Sequence, residues 1–192
     1  MSSHHIIREK QEPALFINNM GSFNAEHLGQ LLEWSPTVFV STPSYDYVYS
    51  LGIKIDAVVS NSTAVSQLQE HMKIIPAING NFTNACLNYL LANEYPSVNV
   101  INDSSFDSLE YSPFIESMDI VVFTAQKKIF PVRSGFSKWK PQGETVDVMD
   151  KIVETASFEG LLSAGKNRFV TQRDGFYKLH FNNDFIFIAE DL

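Results

Sequence analysis

Hydrophobic and polar residues follow two different patterns along this chain, and the change between them falls near residue 126. Upstream, short apolar runs rich in β-branched residues alternate with stretches of helical spacing, which is typical of a parallel α/β sheet. Downstream, short apolar runs are separated by turns, and no long stretch of helical spacing occurs. The pattern therefore predicts an N-terminal α/β domain over residues 1–125 and a small C-terminal β-sandwich domain over residues 126–192.

The individual elements follow from the same pattern. Strands of the α/β domain are predicted at 14–18, 37–41, 53–60, 73–77, 97–101 and 119–124. Helices are predicted at 24–34, 45–52, 63–72 and 82–94, with only a short or broken helix around Pro113. Strands of the second domain are predicted at 127–133, 145–149, 153–159, 168–172, 176–181 and 184–190. Asn24 has the residue type and position of a helix N-cap.

Composition excludes several classes of function. The chain has 22 acidic and 14 basic residues, a net charge of −8 and no basic stripe, so a nucleic-acid partner is not expected. No apolar run approaches the roughly 20 residues that span a bilayer, so no membrane partner is expected either. The single cysteine, Cys86, precludes an internal disulfide and fits a cytoplasmic protein; its helical context predicts a small buried side chain.

Common catalytic motifs are missing from the sequence. It has no G-x-G-x-x-G after the first strand, no G-x-S-x-G, and no histidines at a zinc-binding spacing. The segment "GLLSAGKN" (160–167) is similar to a phosphate-binding loop, but Asn167 stands where that motif needs Ser or Thr. The residues after it have the pattern of a hairpin and not of a helix, so a connecting loop between strands is predicted there.

Three segments carry a resemblance to a known family. The run "IKIDAVV" leads into "SNSTA", the segment "NGNFTNACLNYLL" opens a helix, and the chain ends in "FVTQRDGFYKLHFNNDFIFIAED". In order and spacing, residues 30 to 192 resemble thiamine pyrophosphokinase. The resemblance implies an α/β domain followed by a β-sandwich, and Mg²⁺-dependent transfer of a pyrophosphoryl group from ATP to thiamine. It also implies a homodimer whose active sites lie between the α/β domain of one subunit and the β domain of the other.

The family positions that carry its carboxylates are mostly neutral in this sequence. The family's early Asp-Gly-Gly falls on Thr42, Pro43 and Ser44, and the aspartate before its third strand is kept as Asp56. The remaining carboxylates are replaced at four positions, Asn61, Thr63, Asn81 and Asn84. Because Mg²⁺ on a triphosphate is held by carboxylates, the resemblance implies that no metal site is complete and that transfer is impaired.

At the positions where the family binds thiamine, this sequence has residues of similar chemistry. Its Ser-Asn pair falls on Thr171 and Gln172, and Trp139 could stack on a flat cationic ring. We therefore expect a divergent homologue that binds a thiamine-like small molecule. Two alternatives stay open. One is an active enzyme whose metal is held by Asp56 with Asp103 or Asp107, and the other is an interaction protein without a small ligand.

Each family position also has a purely structural interpretation. Asn81 or Thr83 can serve as an ordinary helix N-cap, and Asn61 can be an ordinary loop residue. Asp56 can bond to neighbouring backbone. A purely structural role explains Trp139 equally well. The sequence alone does not choose between these roles and ligand binding.

Overall fold

A sheet of five parallel strands organises the first of two compact units, which span Met1–Ile120 and Val121–Leu192. The structure is a computed structural model that describes residues 12–61, 72–150 and 156–192. The sheet has the order β5-β1-β2-β3-β4. Its strands are β1 (Ala14–Asn19), β2 (Val38–Ser41), β3 (Ala57–Ser60), β4 (Lys73–Pro76) and β5 (Ser97–Asn102). β2 and β3 are buried throughout, as their continuous apolar runs predict.

Helices in the described part of this unit are α1 (Ala25–Leu32), α2 (Thr42–Ser50), α3 (Phe82–Ala92) and the short α4 (Ser108–Tyr111). Asn24 caps α1 as predicted, since its side chain accepts a hydrogen bond of 2.7 Å from the Glu26 amide. α2 begins earlier than predicted because Pro43 fits the first turn of a helix. The helix predicted at 63–72 lies outside the described residues except for its last position. None of the described helices has the length and hydropathy needed to cross a bilayer.

The second unit contains two antiparallel sheets, and β6 (Asp119–Phe123) crosses the boundary between the units. The larger sheet runs β11-β12-β9-β14-β7-β6, and the smaller runs β10-β13-β8. Their strands are β7 (Lys127–Val132), β8 (Phe136–Lys140), β9 (Thr145–Val148), β10 (Ser157–Glu159), β11 (Leu161–Gly165), β12 (Arg168–Thr171), β13 (Gly175–His180) and β14 (Ile186–Asp191). Buried side chains of both sheets, including Val146, Ile188, Tyr177 and Leu179, form one core. The predicted combination of a parallel α/β sheet and a β-sandwich is confirmed.

Two strands of the sandwich differ from the sequence prediction. β8 was not predicted because its apolar residues, Phe136 and Trp139, are three positions apart and so do not follow the period of two that indicates a strand. β11 lies inside the segment 160–167, which was predicted to be a connecting loop. It pairs with β12 as a hairpin, so the segment does not lead into a helix as a phosphate-binding loop does.

Four neighbouring strands of the larger sheet are linked by one chain of ion pairs. Asp147 on β9 accepts from Arg168 Nε on β12 at 2.7 Å and lies 2.9 Å from Lys127 Nζ on β7. Lys127 also pairs with Asp191 on β14. Hydrogen bonds from Arg168 and Lys127 lower the pKa of Asp147, and bonds from Lys127 and Thr145 lower that of Asp191.

This chain of ion pairs predicts a loss of stability in acid. A carboxyl group whose pKa is lower in the folded than in the unfolded protein stabilises the fold at pH values above its unfolded pKa. That stabilisation is lost as the pH falls through the pKa of the folded state. We therefore expect the urea midpoint to drop as the pH is lowered from about 5 to about 3, across and below the ordinary carboxyl range. The Asp147→Asn variant should lose less stability over this pH interval than the wild type. An equal loss of stability in both proteins would contradict the stabilising role of Asp147.

Candidate functional site

Polar side chains collect where strands of the parallel sheet end, at what we call the carboxyl edge. Ligands of open α/β sheets bind in the crevice outside this edge. β1 ends in Asn18 and Asn19, β2 is followed by Thr42, and β5 ends in Asn102. Asn61 directly follows β3 and is exposed, whereas Thr63 lies outside the described residues. The edge therefore displays amides and hydroxyls.

The centre of the edge is a hydrogen-bonded network of amides and hydroxyls, and the carboxyl group of Glu110 bonds to its member Thr83. Asn18 Nδ2 donates to Thr83 Oγ1 at 3.4 Å and to Asn102 Oδ1 at 3.3 Å. Asn102 Nδ2 in turn donates to the hydroxyl of Tyr111 at 3.3 Å, and Ser104 Oγ donates to Asn102 Oδ1 at 3.0 Å. Burial raises the pKa of Tyr111 to about 12, so its hydroxyl stays protonated. The network joins the ends of β1 and β5 to α3 and α4.

Sequence reasoning missed Asn18, Asn102 and Tyr111. The first two could have been found, because each is a polar residue at the end of an apolar run that reads as a parallel strand. Tyr111 carried no such signal, since it lies in the short helix α4 and is fully buried. Thr83, the one residue of the family's Asp-x-Thr-Asp that this chain keeps, is 3% exposed and belongs to the same network.

The hydroxyls at the start of α2 are bonded to neighbouring strands. Ser41 Oγ and Ser44 Oγ both donate to the backbone oxygen of Asn18, at 2.5 Å and 2.9 Å. Thr42 Oγ1 donates to the backbone oxygen of Val59 at 3.1 Å. These bonds satisfy strand-end carbonyl groups, so this segment ties the ends of β1, β2 and β3 together.

The two asparagines at the start of α3 have local partners. Asn81 is the N-cap, and its Oδ1 accepts from the Asn84 amide at 2.9 Å. The Asn84 side chain accepts from Asn88 Nδ2, also at 2.9 Å. Both amides therefore stabilise the first turns of the helix.

Asp56 lies at the opposite edge of the sheet. It precedes β3, which begins at Ala57 and not at residue 53 as predicted. Its Oδ2 accepts from the Val38 amide at 2.9 Å and its Oδ1 pairs with Lys54 Nζ at 2.6 Å. Since Asn61 lies five residues further along extended backbone, Asp56 is separated from the carboxyl edge by about 16 Å. The structure does not bring Asp56 together with the other predicted site residues.

Asp103 and Asp107, the other carboxylates considered as metal ligands, bind nearby backbone groups. Asp103 Oδ2 accepts from the amide of Ser22 at 2.7 Å and from its hydroxyl at 2.8 Å. A side chain at Gly21 would overlap Asp103, with its Cβ 2.3 Å from Oδ2. Asp107 Oδ1 accepts from the Leu109 amide at 3.0 Å and caps α4.

The described donor groups of the carboxyl edge do not form the cluster of carboxylates that a Mg²⁺ site uses. Magnesium in phosphoryl-transfer sites is held by carboxylate oxygens together with substrate phosphates. Within residues 12–61, 72–150 and 156–192, no three Asp, Glu, His or Cys side chains are grouped so that they could hold a metal ion. Two side-chain amide oxygens of this edge are already bonded to protein donors. Asn102 Oδ1 accepts from Asn18, and Asn81 Oδ1 accepts from the Asn84 amide.

In the β-sandwich, Thr171 stabilises a turn. Its hydroxyl donates to the Pro141 backbone oxygen at 2.5 Å and accepts from the Glu144 amide at 2.9 Å. Thr171 is 3% exposed, whereas Gln172 is exposed, and its backbone amide donates to the backbone oxygen of Gly160. The structure thus places the predicted pair on β12 and just after it, with only Gln172 exposed.

Trp139 is half exposed on the outer face of the smaller sheet. It lies directly opposite Phe176 in the pairing of β8 with β13. Their exposed fractions are 53% and 68%, and residues opposite each other on antiparallel strands have side chains in reach of each other. The two rings provide an exposed aromatic surface that could stack with a flat ligand.

Comparison with known proteins identifies the fold. No family model matches the sequence, and no curated protein matches it. Among solved structures, the thiamin pyrophosphokinase from Candida albicans aligns with a TM-score of 0.68 at 12% identity, over 94% of this chain and 89% of that one. The yeast enzyme aligns at 0.66 and 10%, over 97% and 88%. Thiamine pyrophosphokinase from Bacillus subtilis aligns at 0.62 and 8%, over 94% and 99%. The sequence resemblance is confirmed as a shared fold.

Proposed function

We propose that this protein is a divergent thiamine pyrophosphokinase homologue that binds thiamine or a related small molecule and is impaired in ATP-dependent transfer. The observation that carries the proposal is the network of amides and hydroxyls of Asn18, Thr83, Asn102 and Tyr111 at the carboxyl edge. Pyrophosphoryl transfer concentrates negative charge that a metal ion must neutralise. Amides and hydroxyls that are bonded to one another supply no charge to hold that ion. Burial raises the pKa of the neighbouring Glu110 carboxyl, which disfavours its charged form.

Retention of a ligand is supported by the β-sandwich. The exposed surface of Trp139 and Phe176 could hold a flat cationic ring such as a thiazolium by stacking and cation–π attraction. We further propose that the protein is a homodimer and cytoplasmic, as the fold likeness and the single cysteine suggest. Static light scattering tests the dimer, with a mass near twice the 21.7 kDa of the chain as the expected result.

Thermal-shift measurements with thiamine, thiamine pyrophosphate and ATP, each with and without Mg²⁺, test the proposal together with an assay for AMP. We expect a shift with thiamine or its pyrophosphate that does not depend on Mg²⁺, and no AMP above background from ATP, Mg²⁺ and thiamine. Mg²⁺-dependent release of AMP would establish the active enzyme with atypical metal ligands. No shift with any of the three compounds would favour the interaction protein.

Substitution of Trp139 tests the site within the sandwich. Trp139→Ala should weaken thiamine binding by about threefold to thirtyfold, the range that corresponds to a cation–π contact. Trp34→Ala is the matched control, since Trp34 is 71% exposed and lies just after α1 in the other unit. Calorimetric titration of both variants provides the measurement, and equal affinities would remove Trp139 from the site.

A further inference from the structure

The loop that joins β4 to α3 begins with a tight turn at the carboxyl edge. The turn consists of Ile78, Asn79, Gly80 and Asn81. The Asn81 amide donates to the Ile78 backbone oxygen at 3.1 Å and closes it. The φ angles of the two central residues, Asn79 and Gly80, are 54° and 73°. Positive values at both centres are typical of a type I′ turn, in which asparagine followed by glycine is a preferred pair.

The two central residues of this turn are open to solvent. Asn79 and Gly80 are both exposed. Among the residues that the structure describes, none hydrogen-bonds to the Asn79 side chain and none accepts from the Gly80 amide. Apart from the chain neighbours of Gly80, no atom lies within 4 Å of the position that a Cβ would take there. The space beside the Gly80 nitrogen is therefore free.

This arrangement leaves two groups that can react with each other unprotected. The backbone nitrogen after an asparagine can attack the carbonyl carbon of the asparagine side chain, and the reaction is favoured because it is intramolecular. A side chain on the following residue obstructs the attack, and glycine has none. The sequence contains asparagine before glycine at this one place. Asparagine is already among the thermolabile residues of proteins, so this pair is the most exposed to such a reaction.

We propose that Asn79 is a site of spontaneous deamidation in the folded protein. The Gly80 nitrogen forms a bond to Asn79 Cγ and gives up its proton, and the side-chain amide nitrogen takes up that proton and leaves as ammonia. Water then adds to the resulting succinimide and breaks one of its two carbon–nitrogen bonds. The product at this position is aspartate or isoaspartate. In either product a carboxylate replaces the neutral amide, and its proton is released to solvent.

The reaction changes the charge of the carboxyl edge. Asn79 lies two positions before Asn81, the N-cap of α3. A negative charge near a helix N-terminus is stabilised by the partial positive charge of that end of the helix. Deamidation thus supplies a carboxylate beside family positions that carry asparagine in this chain. The proposal is independent of thiamine binding, because the reaction needs only the turn and water.

Incubation of the folded protein in mildly alkaline buffer, followed by peptide mass spectrometry, tests the site. Asn79 should gain the mass difference between O and NH. Because local opening of an exposed loop costs little, its rate should lie within about tenfold of the rate in the urea-unfolded chain. Asn167 is the internal control, since its φ is also positive, at 62°, but its side chain donates to the Asp150 backbone oxygen at 3.1 Å. It also precedes Arg168, so it should react at least about tenfold more slowly than Asn79 in the folded protein.

Two variants connect the mass change to this position. Asn79→Asp marks where the aspartate product elutes from an ion-exchange column, and aged wild type should develop a species that elutes there. Asn79→Gln should not develop it, because its longer side chain closes a larger ring. Asn79 that stays an amide in the folded protein, or equal rates at Asn79 and Asn167, would overturn the proposal. Should a variant fail to fold, the mass spectra of folded and unfolded wild type decide the question alone.

Discussion

Replacing Glu190 with glutamine is expected to lower the free energy of unfolding by about 2 to 4 kcal/mol, because the carboxylate is buried while one of its lysines is partly exposed. Glutamine keeps the size of the side chain but removes its charge. Lys140 would then lose its buried counter-charge, and the Tyr177 hydroxyl would lose a charged acceptor. The partly exposed Lys138 would turn to water. Urea unfolding at neutral pH measures the effect.

Glu159→Gln is the matched control for this experiment. Glu159 also faces two basic side chains, at 4.0 Å from Lys178 and 3.9 Å from His180, but its own side chain is 62% exposed. Exposed pairs contribute little, so we expect a change within about 0.5 kcal/mol. A loss below about 1 kcal/mol in Glu190→Gln would mean that the buried lysines find other partners.

The second large effect is expected at the carboxyl edge. Asn102→Leu should destabilise the first unit by about 2 to 4 kcal/mol, because it leaves buried polar groups without partners. Asn102 is 6% exposed, and it accepts from Asn18 and Ser104 and donates to Tyr111. Unfolding in urea, followed by circular dichroism, gives the value.

Asn88 provides a control that distinguishes the effect of burial on stability from the effect of the residue type. Asn88 donates to the backbone and side-chain oxygens of Asn84 at 2.8 Å and 2.9 Å, but it lies on the exposed side of α3. Water can replace those bonds, so Asn88→Leu should cost less than about 1 kcal/mol. Similar losses in the two variants would show that the network contributes no more than ordinary surface hydrogen bonds.

The fold could be predicted from the sequence wherever one pattern dominated. The buried strands β2 and β3 have continuous apolar runs, and Asn24 has a capping side chain at the right position. The prediction failed at β8, where Lys138 and Lys140 occupy the inner face. Lysines normally indicate solvent, and the sequence does not show that these two face the buried carboxylate of Glu190.

The sequence named residues of the carboxyl edge but not the contacts between them. The resemblance to thiamine pyrophosphokinase led to Asn61, Asn81 and Asn84, which the structure places after β3 and at the start of α3. It could not reveal that Asn18 and Asn102 bind each other, because they are 84 residues apart in the chain. Such contacts depend on strand order, which a single sequence does not contain.

Asp56 has a consequence for redesign of this protein. By accepting from the Val38 amide, its side chain fastens the start of β3 to the start of β2, and a slip of one residue would turn every side chain of a strand to the other face. That anchor is remote from the ends of the same strands. Carboxylates introduced at Asn61, Asn81 or Asn84 should therefore leave strand alignment intact, so the scaffold can accept new chemistry at one rim while the other preserves its geometry.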